Sequence, residues 1–225
     1  MPDIEFDLLN NAVDSLKFAV EVLVSSTIGH SLGPDESIYK QAIVSSAHSI
    51  ELLLKERLRR EHPAFIWRNI DKYPSRDAFT VDTEIAVKRL ESLAGLKFSD
   101  ADKEIIKNLR TVRNSIEHYE WHTNHDEAKN LIALSMAFAF SFSEHELGAD
   151  ISETFKEDDT WRTFIEDMYQ FAGAYGERIA QRQRDAGGWT VYCDECQQET
   201  VPIGGGICLL CGHWQDDDEN EDELQ

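Results

Sequence analysis

Cysteine is absent from the first 192 residues of this 225-residue chain, which excludes a scattered framework of structural disulfides. No apolar run approaches the ~18–20 residues that a helix needs to cross a bilayer, and mean hydropathy is −0.45, so a soluble protein is expected. The opening Met1-Pro2-Asp3-Ile4-Glu5 lacks the basic start of a secretory leader, and a cytoplasmic location is the corresponding expectation. Basic residues are scarce: 22 Lys and Arg stand against 43 Asp and Glu, for a net charge of −21. A polyanion would therefore have to be bound by a local patch and not by the overall field. Strand-like alternation is also scarce before residue 185, and apolar residues there recur at three- and four-residue spacing.

That spacing predicts an all-α unit. Asp3 to Ile28 carries the stripe Leu9, Val13, Leu16, Val20, Leu23 and Val24, ended by Gly29 and Gly33-Pro34. Asp35 or Ser37 caps a second helix to about Glu61, with Ile38, Ala42, Ile43, Ala47, Ile50, Leu53, Leu54 and Leu58 inward and Pro63 just beyond. A short helix is expected over Thr83–Leu93. Ser99 caps another, with Ile105, Leu109, Val112 and Ile116 in a 4-3-4 spacing to about Tyr119. Asp126 to about Leu147 follows. Phe138, Phe140 and Phe142 alternate like a strand there, but the longer helical pattern outweighs them. One last helix is expected from Thr154 to Arg184, closed by Gly187-Gly188. The predicted organisation is a helical bundle over residues 1–150, an additional C-terminal helix over 151–186, a small module over 189–214 and a disordered acidic tail over 215–225. The tail holds seven acids and no base.

The small module contains all four cysteines, as the knuckles Cys193-Asp-Glu-Cys196 and Cys208-Leu-Leu-Cys211, with Gly212 for the tight turn that follows. Four thiolates at this spacing predict a closed tetrahedral zinc site, a zinc ribbon whose metal is structural because no coordination position stays open. His213 is surplus to such a site and is expected at the surface.

A second constellation ends the Ser99 helix: Leu109-Arg-Thr-Val-Arg113-Asn114-Ser-Ile-Glu-His118-Tyr119. Arg113 and His118 are five residues apart, ~140° round an ideal helix, whereas Asn114 and His118 share a face. Together with Ile50-Glu51-Leu52-Leu53-Leu54-Lys55 some sixty residues earlier, this segment resembles the HEPN superfamily over roughly residues 3–147. That resemblance implies an α-helical bundle with an Arg-x4–6-His ribonuclease site, metal-independent and composed across a homodimer interface. Arg113 and His118 would be catalytic and Asn114 a supporting polar group, with RNA as substrate. It further implies a toxin–antitoxin or antiviral defence role. Family members silenced by nucleotidylation carry a Tyr two places after the His, where this chain has Glu120. Lys55, Arg57, Arg59 and Arg60 would extend an RNA track.

Two readings from other classes compete. His118, His122 and His125 with Asp126 would form a metal-dependent hydrolase site if the helix continued through them. A catalytically inactive adaptor would dimerise through the bundle and bind a protein, an antitoxin among the candidates, at the ribbon.

Overall fold

The computed structural model describes residues 7–29, 36–75, 77–155 and 159–216. The expected stop at Gly33-Pro34, the cap at Asp35 and the tail from Asp217 onward lie outside the described residues.

Seven α-helices and four short strands are found among them. α1 (Leu8–Gly29) opens where the Asp7 carboxylate accepts from the Asn10 N–H at 2.7 Å, and it buries Leu16, Val20, Leu23 and Val24. α2 (Glu36–Glu61) is central to the fold, packing against α1, α3 (Thr83–Leu93), α4 (Asp100–His118) and α5 (His125–Leu147). Its predicted inward residues from Ala42 to Leu58 are buried. Pro63 opens a 3-10 turn, Pro63–Ile66, capped by the His62 side chain. Each of the next three helices is capped by the side chain before it, Asp82, Ser99 and Asn124, whose oxygens accept from backbone N–H groups at 2.8–3.0 Å.

The phenylalanine alternation in α5 is resolved by burial on two sides. Phe138 and Phe142, one turn apart, meet Phe98 on one face. Phe140, ~200° further round than Phe138, meets Trp161 at 5.3 Å and Phe171 at 5.4 Å between ring centroids on the other. A helix buried on both faces needs no polar stripe, so its sequence imitates a strand locally.

The structure corrects the single helix expected over 154–184. A 3-10 turn (Ser152–Phe155) is followed by α6 (Asp159–Asp167) and α7 (Tyr169–Asp185), broken at Met168 with φ −109° and ψ 57°. The break re-aims the chain so that Trp161, Phe164, Phe171 and Tyr175 all enter one aromatic cluster with Phe140. α6 and α7 are thus part of the bundle's core and not an appendage to it.

The small module is two hairpins: β1 (Thr190–Tyr192) antiparallel to β2 (Glu199–Pro202), and β3 (Gly206–Ile207) antiparallel to β4 (Trp214–Gln215). It sits on α7, and Cys193, Val201, Cys208 and Leu210 join the same buried cluster as the helices. The Trp161 indole N–H donates to the Leu210 carbonyl at 2.8 Å within this junction. No described helix is long and apolar enough to cross a membrane.

Candidate functional site

The four cysteine sulfurs lie within 4.8 Å of one another. Cys193 and Cys211 are 3.6 Å apart, Cys196 and Cys208 3.7 Å, and none forms a disulfide. Sulfurs ~2.3 Å from a tetrahedral centre stand about 3.8 Å from each other, so the spacing fits a metal ion held by all four. The two knuckles are built alike. Gln197 N–H donates to the Cys193 carbonyl and Gly212 N–H to the Cys208 carbonyl, each at 2.9 Å. Both Gln197 (φ 57°) and Gly212 (φ 80°) are left-handed. The sequence signals this turn at Gly212; at Gln197 a side chain is carried in the same conformation. The Cys211 N–H and the Thr200 hydroxyl contact the Cys208 sulfur at 3.4 Å and 3.0 Å. Hydrogen bonds from Cys196, Cys211 and Thr200 favour thiolate at Cys208, and its partner Cys196 is pushed up to about 12, chiefly by its hydrogen bond to Cys208. Such a cluster readily exchanges its protons for a metal.

The second constellation sits where α4 crosses α2. Arg113 Nη1 is 3.6 Å from Glu51 Oε2, and its Nε is 3.0 Å from Glu117 Oε2. The latter contact is off-axis, so charge and not a hydrogen bond holds that nitrogen. Glu51 is shared with Lys55, whose Nζ is 2.6 Å away and also donates to Thr80 at 3.0 Å. Arg113 and Asn114 line one hollow with Glu51, Asp82, Arg110 and Ile106. It adjoins an open groove of about 450 Å³ between α3 and α4 that carries Lys88, Lys103 and Lys107.

His118 closes α4 and is exposed. Because the helix is continuous from Asp100, the five-residue step leaves Arg113 and His118 ~140° apart, and one chain does not bring them together. Asn114 and His118 do share a face. Missing from the sequence reading is His48, one turn before Glu51 and part-buried on α2. Burial, reinforced by Arg113 and Lys55, holds its imidazole below the usual histidine range against the opposing pull of Glu51 and Glu117. The spacing 48, 51, 55 on one helical face was the available signal.

Two expectations are corrected. The histidine metal site does not form: α4 ends at His118, residues 119–124 are non-helical, His122 is solvent-exposed beside Glu120, and His125 packs edge-on against Tyr39 at 5.4 Å. Among the described residues, the four cysteines are the group placed for a metal. The basic run on α2 is not a free track either. Lys55 is buried, Arg57 pairs with Glu61 and Glu146, and Arg59 and Arg60 both pair with buried Glu56.

No family model, curated protein or solved structure matches the chain.

Proposed function

We propose that the protein is a metal-independent endoribonuclease of HEPN type that works as a homodimer, its ribbon held by a structural zinc ion. The observation that carries this reading is the divided Arg-x4-His pair. Arg113 faces a polar hollow with Asn114, while His118 ends the same helix exposed and on another side. Two copies related by a twofold axis bring the Arg113 of one to the His118 of the other, which one copy does not do.

In that composite site Arg113 holds the scissile phosphate and offsets the charge that builds on it. One His118 takes the proton of the neighbouring 2′-hydroxyl as its oxygen attacks phosphorus. The bond to the 5′-oxygen breaks, and that oxygen takes a proton from the second His118. The product is a 2′,3′-cyclic phosphate. Asn114 orients the phosphate or the imidazole on its shared face. Substrate displaces Glu51 from Arg113, which the 3.6 Å separation makes inexpensive. Cys193, Cys196, Cys208 and Cys211 form an all-thiolate set suited to zinc, which supplies no chemistry because the site is closed. A cytoplasmic toxin or defence effector, restrained by an antitoxin or other protein at the ribbon, is the role that goes with the resemblance.

The test is RNA cleavage by the purified, metal-loaded dimer with EDTA added at assay time. Wild type is expected to leave cyclic phosphate ends, and Arg113→Ala and His118→Ala to lose at least ~100-fold in rate. Mixing the two variants should restore part of the activity through heterodimers with one intact site. Absence of cleavage across several RNA classes by a folded dimer transfers the reading to an inactive adaptor. That alternative is favoured by one observation of its own, the large apolar side chains that the ribbon exposes.

A further inference from the structure

The ribbon presents Trp189, Tyr192, Ile203, Ile207 and Trp214 at 57–67% exposure. Their placement is ordered. Ile203 N–H donates to the Trp189 carbonyl at 3.0 Å, which sets these two opposite each other at the end of the β1–β2 hairpin. Ile207 and Trp214 are direct partners across β3 and β4. Gln215, next to Trp214, donates from Nε2 to the Tyr192 carbonyl at 3.1 Å and accepts from the Asp194 N–H at 2.9 Å. It thereby draws Tyr192 and Asp194 beside β4. The ribbon's inward residues, Val201, Leu210, Cys193 and Cys208, are already committed to the bundle. Folding therefore leaves these five side chains uncovered, and Trp and Tyr in such a patch are the residue types that anchor protein interfaces.

Charge decides what covers them. From Asp185 to the C-terminus the chain has no Lys or Arg, and from Asp194 to Glu223 it has ten acids. Exposed Trp and Tyr suit base stacking, but a nucleic acid would bring phosphates onto carboxylates with no cation to receive them. The ribbon of a second copy brings the same acids. A cationic polypeptide with apolar anchors satisfies both features of the surface. We propose that the outer face of the ribbon docks a basic protein segment, whose apolar side chains pack on Trp189, Tyr192 and Trp214 while its Lys or Arg residues meet Asp194, Glu195 and the acidic C-terminal run. None of Arg113, Asn114 and His118 lies on this face, so docking and RNA cleavage fail or succeed separately.

The experiment uses the full-length, metal-loaded protein and fluorescein-labelled probes: a twelve-residue alternating Lys-Leu peptide, its Lys-Ser and Glu-Leu counterparts, and a twelve-nucleotide oligouridylate. The comparison variant is Trp189→Ser/Trp214→Ser, with metal content and circular dichroism as controls of folding. The Lys-Leu peptide is expected to bind and the other three probes to bind at least ~10-fold more weakly, with the double variant losing at least ~10-fold for Lys-Leu alone. Equal affinity of wild type and variant for Lys-Leu would mean that the acids act without the aromatics, and overturns the proposal. So does preferential binding of the oligouridylate, or self-association in sedimentation that the double substitution abolishes.

Discussion

At the scale of single residues, two buried contacts make firm predictions. Trp161 is buried among aromatic rings, and its indole N–H serves the Leu210 carbonyl at the helix–ribbon junction. Trp161→Phe keeps most of the ring packing and strands that carbonyl. A loss of about 1–3 kcal/mol in unfolding free energy is expected by denaturant titration of the metal-loaded protein. His48 is held below its model value of 6.5 first by burial, then by Arg113 and Lys55. An unfolded histidine binds its proton more readily than this folded one, so stability is full above pH 6.5 and declines as pH falls through the folded value. His48→Gln is expected to flatten the acid side of a stability–pH curve. A curve unchanged from wild type below pH 6.5 would show that the imidazole is not held in that way. His48 was not legible as part of the Arg113 cluster because nothing local ties residue 48 to residue 113; only the crossing of α2 and α4 does.

At the scale of elements, the caps at Asp82 and Ser99 and the burial of α2 follow from local chemistry, and both were readable. The break at Met168 was not, since no Pro or Gly marks it. It arises because α6 meets α1 while α7 meets α5, and one straight helix does not serve both. α7 also carries Gly176, where an added Cβ would stand 3.2 Å from Gln198 Cβ. The missing side chain lets the ribbon lie close on the helix. Gly176→Leu is expected to cost about 1–3 kcal/mol by overpacking and to increase proteolysis within residues 189–216. Protease resistance equal to wild type would show that the ribbon is not held by this approach.

At the scale of the whole molecule, metal and core are one system. Cys193 and Cys208 belong to the buried cluster that includes Trp161, Phe171 and Tyr175. Chelation or Cys211→Ser is therefore expected to lower the stability of the bundle as well as of the ribbon. In calorimetry the metal-loaded protein should unfold in one transition, moved down by several degrees or more on metal removal. Two separate transitions, with the helical one unmoved, would mean that the ribbon folds independently of its support.

The sequence by itself determined what depends on neighbours within a turn or two. The helical class, the capped starts of α3 and α4, the Cys-x2-Cys knuckles and the angular separation of Arg113 from His118 all follow from spacings of three to five residues. Tertiary structure alone decided which faces meet. It buried Phe140 opposite Phe138, paired the basic residues of α2 with their own acids, and set His48 beside Arg113. It also joined the ribbon's inner residues to the helical core and left its aromatic pairs outward. Those outcomes depend on the mutual fit of surfaces distant in the chain, and a local period carries no record of its partner.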